Sequence, residues 1–351
     1  ISFPWLIFTI IFFVTFFLIA FLNEVDNSYL SKSYLNVLFF NTIFLSFGSA
    51  ILSALIAVPL AILVAFYRFP GHKFFSWSLS LSIAFPAYVY AFIFVGIFEY
   101  ASPVSEYLRG FNIMLPSIKN IYGASLVMAM ALFPYIFLLT KAHLSSVGIK
   151  VFKAAKSLGD NNINAIRKVI IPSLWPTITA GMALVIFETV ADFGGVSTLR
   201  VETFTVGIYD AWFGYQSYFS AARLAGYLLI FVFLIMLIMK YFGAKSNNLA
   251  SKTAEKFQKI ETSTFNKVII SIICSIIFAL VFCLPTSQLI IWYFSDSALN
   301  IFTNLQLLIN STFVGVFASC VTVFFAISLA LSFRQLNGLK PLIIILSLIH
   351  I

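Results

Sequence analysis

In 351 residues the chain carries 9% charged and 61% hydrophobic side chains, with 42 Phe and a mean hydropathy of +1.03. A soluble domain uses roughly 25% charged residues, so there are too few here to cover a water-exposed surface, and a bilayer must be the solvent. The formal net charge is +9, from 21 Lys and Arg against 12 Asp and Glu; these cations sit in short loops between apolar runs, where they orient membrane helices rather than bind nucleic acid.

A spanning helix needs about 20 mostly apolar residues. Apolar runs fall near residues 4–22, 39–66, 75–98, 121–140, 173–195, 224–242, 268–294 and 310–333, and a further run occupies 341–351. This predicts an all-α polytopic membrane protein with about eight or nine transmembrane helices. The first run exceeds the roughly 7–15-residue core of a signal peptide and is read as a retained helix. Residue 1 is Ile, so the natural start is expected upstream. Pro59, Pro86 and Pro134 lie inside runs, which membrane helices tolerate when neighbouring groups satisfy the freed carbonyls.

Placing the N-terminus in the cytoplasm and alternating the runs puts most Lys and Arg inside, from Arg68 and Lys73 through Lys141, Lys150, Lys153, Lys156, Arg167 and Lys168 to Arg334 and Lys340. Only Lys32, Arg109, Lys119, Arg200 and Arg223 then lie outside, as the positive-inside bias requires. Cys274, Cys283 and Cys320 all lie in or beside apolar runs, with no spacing that suggests a zinc site or a disulfide framework. His72 and His143 are read as solvated surface residues among lysines.

The loop between the fourth and fifth runs is the most informative segment. Val151-Phe152-Lys153-Ala154-Ala155-Lys156-Ser157-Leu158 predicts a short helix, and Gly159 is placed to cap it. Asp160, Asn161, Asn162 and Asn164 form an Asx-rich turn, and a second helix follows that is halted near Pro172. Ala154 and Ala155 present a surface small enough for another protein to pack closely. The segment is too polar for lipid and too ordered in pattern for a flexible linker, and it suits a docking element on the cytoplasmic face.

This spacing resembles the coupling loop of ABC importer permeases, the binding-protein-dependent inner-membrane components: Glu-Ala-Ala, three residues, Gly, nine residues, then Ile-x-Leu-Pro. Ala154, Ala155, Gly159 and Pro172 match outright, Val169 and Ile171 are conservative replacements, and Lys153 reverses the charge of the usual Glu. The stretches Phe187 to Val196 and Thr203 to Phe213 are similar to the ferric-iron branch of that family, which fuses two permease halves in one chain. The resemblance implies a type I permease helical bundle in the bacterial inner membrane. It also implies a cytoplasmic ATPase dimer engaged by the loop at about 150–172, and a periplasmic solute-binding protein. No Gly-x-x-x-x-Gly-Lys-Ser/Thr motif occurs in the chain, so ATP is used by the partner and the chain binds no cofactor of its own. Ferric iron is the substrate the resemblance favours, with thiamine or another small solute as the alternative. One competing class is an ion-coupled secondary transporter, which would have no use for the loop at 153–172, and a second is a non-transporting membrane assembly or sensor protein, which would need no ATPase.

Glu188 and Asp192 are four residues apart near the outer end of the fifth run and share one helical face. Intramembrane carboxylates usually face a water-filled path or a partner. They either line the outer part of a translocation route or bond to Arg200, Arg223 or a neighbouring helix. Tyr209, Trp212, Phe213, Tyr215 and Tyr218 follow and are read as an interfacial aromatic belt, with contact to the solute-binding protein as the alternative.

The last feature is a repeat. Asn41-Thr42-Ile43-Phe44-Leu45-Ser46 lines up with Asn310-Ser311-Thr312-Phe313-Val314-Gly315, and the match continues to Leu60-Ala61 against Leu329-Ala330. Parallel repeats of this kind build the two halves of transporters. The expected organisation is a first permease half over 1–242, a cytoplasmic linker over 243–267, and the start of a second half over 268–351, truncated inside its third span.

Overall fold

The computed structural model describes residues 15–22, 30–145, 149–159, 161–243, 259–295 and 301–335. Helix α1 covers 15–22, and α2 runs from Lys32 to Phe66. After α3 (His72–Ser78), α4 (Ala87–Phe98) and α5 (Pro103–Arg109) comes α6 (Ile121–His143). The elements α7 (Ile149–Ser157), α8 (Asn162–Ala165), α9 (Ile171–Ala191), α10 (Gly194–Thr198), α11 (Phe204–Tyr209) and α12 (Tyr218–Gly243) follow. The chain continues through α13 (Thr264–Phe278) and α14 (Leu284–Ser295) to α15 (Ile301–Gln335). Seven stretches among the described residues are long and apolar enough to cross a membrane. They account for every expected run except the first and the last, whose residues 1–14 and 336–351 lie outside the described residues, as does most of the expected linker. Two compact units emerge, residues 20–290 and residues 1–19 with 291–351; α15 belongs to the second, and the candidate site lies in the first.

The centre of that unit is a three-helix contact of α2, α6 and α9. Lipid tails are as apolar as leucine, so helix association in a bilayer depends on close packing by small residues and on hydrogen bonds. The inward side of α2 supplies Ser46, Ser49, Ala50, Ser53, Ala57 and Ala61, all buried. The Ser53 hydroxyl donates to the Ala129 carbonyl of α6 at 3.3 Å. At Gly181 of α9, an added Cβ would stand 3.0 Å from Ile136 Cγ1 and 3.1 Å from Ile136 Cα. Gly181→Ala is therefore expected to lower stability by about 1–3 kcal/mol through overpacking, read as a lower unfolding temperature of the detergent-purified protein. Phe40, Leu55, Phe92 and Trp175 are exposed, as lipid-facing positions should be.

The ends of the spans meet as the alternating topology requires. At the basic end, Phe66 of α2 lies against Phe152 of α7 with ring centroids 5.1 Å apart, and Arg68 N–H donates to the Ile260 carbonyl. At the other end the Asn41 amide donates to the Glu202 carbonyl at 2.9 Å, and Phe204 N–H donates to Thr42 Oγ1 at 3.1 Å.

Two runs depart from the expected simple helices. The run at 75–98 is broken into α3, a 3₁₀ turn at Leu81–Ala84, and α4. Pro86 causes the break: a residue before proline is driven out of the helical region, and Phe85 is extended at φ −97°, ψ 123°. In the opposite sense, the helix expected to halt near Pro172 does not halt. The chain stays helical from Asn162 through a π turn at Ile166–Ile170 and on to Ala191. Proline has no N–H to give and tolerates the start of a helix, and the wider π turn moves the hydrogen-bond ladder to where Pro172 sits at the first turn of α9.

Candidate functional site

Helix α9 joins two candidate regions, one at each end. At its C-terminal end Glu188 is exposed and Asp192 partly buried. The Asp192 backbone turns extended at φ −72°, ψ 127° while its N–H still donates to the Glu188 carbonyl at 3.0 Å. Its carboxylate Oδ2 then accepts the Val196 N–H at 3.0 Å, capping the short α10. Thr205 Oγ1 donates to the Asp192 carbonyl at 2.9 Å, so the residue is held from both sides. Two glycines make this possible. A Cβ on Gly195 would stand 2.8 Å from Asp192 Oδ2, and one on Gly194 would stand 2.9 Å from Tyr88 Cβ.

Glu188 and Asp192 share a cleft of about 360 Å³ with Phe85, Pro86, Tyr88, Tyr135 and Phe193. The break at Pro86 forms its opposite wall, and the Tyr135 hydroxyl faces the Glu188 carboxylate. Among the described residues no Lys, Arg or His lines it. The ion pairs among the described residues are Arg68–Glu261, Lys119–Glu99 and Lys267–Glu261. Among the described residues no ion pair joins Arg200 or Arg223 to these acids. Arg200 lies exposed in a left-handed turn at φ 56°, and Arg223 donates to the Ala20 carbonyl. Among the described residues no three His, Cys, Asp or Glu side chains converge as a metal cage would need. The cleft is a surface pocket lined by two carboxylates and not, among the described residues, a closed coordination site.

At the other end the polypeptide makes a helical elbow. Helix α7 ends with Gly159 N–H donating to the Lys156 carbonyl at 3.0 Å, and Gly159 is left-handed at φ +94°. Any Cβ there would meet open space, so the penalty for a substitution is backbone strain of roughly 1–2 kcal/mol and not a clash. Asn161 Oδ1 accepts the Asn164 N–H at 2.7 Å, a side-chain cap that starts α8. Asp160 lies outside the described residues, and Lys153 lies on α7.

The two alanines of the motif separate. Ala155 is buried beside Phe152, whereas Ala154 is exposed. Ala155 and the partly buried Val169 thus anchor the elbow to the bundle, while Ala154, Gly159, Ile171 and Pro172 are exposed. A candidate contact residue that sequence reading did not single out is Leu158, which is 88% exposed at the tip of the elbow. An apolar side chain inside an otherwise polar turn was its only signal. His143 is not a solvated surface residue as expected: it is partly buried, with its Nδ1 3.0 Å from Thr177 Oγ1 of α9. His72 is likewise partly buried, its Nδ1 3.2 Å from the Phe69 carbonyl. The external aromatics are exposed and linked, with Phe193–Tyr209 centroids at 4.6 Å, Tyr209–Phe213 at 4.9 Å and Trp212–Tyr218 at 5.0 Å.

Over 155 residues the chain is 26% identical to the sulfate transport system permease protein CysT of Salmonella typhimurium, covering 44% of this chain and 55% of that protein. Over 242 residues it is 25% identical to the Fe(3+)-transport system permease protein FbpB 2 of Haemophilus influenzae, covering 68% of this chain and 44% of the relative. The chain thus spans about half the length of the curated relatives it matches. A crystal structure of a bacterial alginate ABC transporter in complex with a pentasaccharide-bound periplasmic protein aligns with a TM-score of 0.49 at 15% identity, over 70% of this chain and 96% of that one. Residues 57–248, more than half of the chain and the whole stretch from mid-α2 past the elbow, the acidic cleft and α12, match the family described as binding-protein-dependent transport system inner membrane component, and the chain belongs to that family.

Proposed function

We propose that this chain is the membrane-spanning permease subunit of an ATP-driven importer that carries ferric iron inward, with a separate cytoplasmic ATPase acting on the elbow at 150–172. The observation that carries the substrate class is the cleft, where Glu188 and Asp192 stand together and no cation among the described residues lines it. Carboxylates are hard oxygen donors suited to a hard cation, and the same field opposes a sulfate dianion. The ferric relative spans more of this chain than the sulfate relative does. A periplasmic solute-binding protein delivers the cation to the acidic end.

Coupling runs along one element. The helix from Asn162 to Ala191 is unbroken, and at 1.5 Å per residue it reaches about 45 Å from elbow to cleft. A push on Leu158 is passed through Phe152 to Phe66 of α2, and through α8 and the π turn to α9. ATPase closure at one end thereby changes the setting of Glu188 and Asp192 at the other.

The test is uptake of radiolabelled ferric iron and of radiolabelled sulfate by cells expressing the full-length protein with its ATPase, with and without Gly159→Asp. Iron uptake that needs ATP and is lost in the variant, with normal membrane insertion, is the expected result. ATP-dependent sulfate uptake without iron uptake would overturn the substrate assignment. If the ATPase couples and neither is carried, another solute such as thiamine is the cargo. Uptake indifferent to the ATPase would move the protein to the ion-coupled class.

A further inference from the structure

A second charged region lies at the basic end of the bundle, away from both the cleft and the elbow tip. Lys141, in the last turn of α6, donates to the backbone carbonyl and to the hydroxyl of Ser76 on α3, the latter at 3.2 Å, and its ammonium stands 5.5 Å from the Phe137 ring centroid. Lys259 donates to the Val64 carbonyl, in the last turn of α2, at 2.9 Å. Both lysines are partly buried. Each is satisfied by neutral oxygens, and among the described residues neither pairs with a carboxylate. The acid at this corner, Glu261, is already held by Arg68 at 3.4 Å and Lys267 at 2.6 Å. Lys73 adds an exposed cation on α3.

Burial, and after it the charges of Lys259, Lys73 and Arg68, hold the His72 imidazole below its ordinary range, against an opposing backbone bond to Phe69. Burial and then the charge of Lys141 pull Lys259 down as well. Half-buried ammonium groups without counter-charge are costly, and an anion at this corner removes that cost.

The position of the corner selects the kind of anion. One of its uncompensated lysines lies in the final turn of the α6 span and the other bonds to the final turn of α2, at the depth where a bilayer presents its headgroups. Beside them on α3, Phe74 and Trp77 are exposed, as are Ile269 and Ile272 on α13, against which α3 packs through Phe74 and Phe278. A cationic corner bordered by exposed apolar side chains matches a phosphate carrying acyl chains. We propose that the corner formed by Lys141, Lys259, Lys73 and Ser76 binds the phosphate of an anionic phospholipid of the cytoplasmic leaflet, with its chains against Phe74 and Trp77. This reading depends on the orientation inferred from charge bias and not on the identity of the cargo.

The test uses the detergent-purified full-length protein titrated with phosphatidylglycerol or phosphatidylcholine, with bound lipid counted by native mass spectrometry. Phosphatidylglycerol is expected to bind selectively. Each Lys near the surface contributes roughly 5-fold in affinity, so Lys141→Gln with Lys259→Gln is expected to weaken binding about 30-fold while phosphatidylcholine binding is unchanged. If that double variant fails to fold, Lys73→Gln, an exposed position, is expected to weaken it about 5-fold. Equal binding of the two lipids, or undiminished selectivity in the folded variants, would overturn the proposal. Displacement of phosphatidylglycerol by inorganic phosphate at equal concentration would reassign the corner to a soluble anion and likewise overturn it.

Discussion

Leu158→Glu is expected to abolish ATP-driven uptake while leaving the protein folded and inserted. Leu158 is 88% exposed, so its side chain adds little to the stability of the bundle, and replacing it costs the fold almost nothing. If the elbow docks into an ATPase cleft, burying that leucine contributes about 1.5–3 kcal/mol. A carboxylate in the same place must lose its water without a partner, which costs more than the lost burial. Together these effects weaken the ATPase interaction by about 100-fold or more. Co-purification of the ATPase and its hydrolysis rate in proteoliposomes are the measurements. Phe152→Ala supplies the contrast. It removes the ring buried against Phe66 and is expected to cost about 3–5 kcal/mol of folding stability, so it lowers the unfolding temperature where Leu158→Glu does not. Undiminished ATPase capture by Leu158→Glu would mean that the elbow tip is not the docking surface.

How far this could be read in the sequence depends on which physical rule governed each segment. Runs of apolar residues long enough to span a bilayer are required by the solvent and not by any partner, so the spans at 39–66, 121–140, 268–294 and 310–333 were legible. The elbow was legible because Gly159 and Asn161 are local capping signals, and both perform as such at φ +94° and 2.7 Å. Proline misled in both directions. At Pro86 the chain breaks because Phe85 is forced extended, while at Pro172 a π turn absorbs the missing donor and the helix passes through. That choice depends on whether neighbouring elements can hold the altered ladder, which is tertiary information. The same limit applies to Ala154 and Ala155. Composition marked both as small, but only the packing of Phe152 on Phe66 decides that Ala155 faces inward and Ala154 outward. Four-residue spacing put Glu188 and Asp192 on one face, yet the wall opposite them, and the role of Asp192 as a cap, follow from the break at Pro86 and the close approach of Gly195.

That double role of Asp192 determines how the second large effect is to be read. Glu188→Gln and Asp192→Asn both remove charge while keeping an oxygen in place. Asn retains an acceptor for the Val196 N–H, which Asp192 now binds at 3.0 Å, so α10 keeps its cap and the protein keeps its stability. Ala at 192 loses charge and cap together, and the cap alone is worth about 1 kcal/mol. A unit charge pair at about 4 Å is worth on the order of 4 kcal/mol where the effective dielectric is near 20. Even after relaxation and screening, neutralising both acids is expected to lower ferric uptake by at least about 10-fold. Asp192→Asn should therefore match Asp192→Ala in transport and exceed it in unfolding temperature. The sign of any residual anion transport tests the same field independently: the neutralised double variant should admit sulfate more readily than the wild type. Ferric uptake unchanged in Glu188→Gln with Asp192→Asn, at normal expression, would remove the cleft from the translocation route and leave Asp192 as a cap alone.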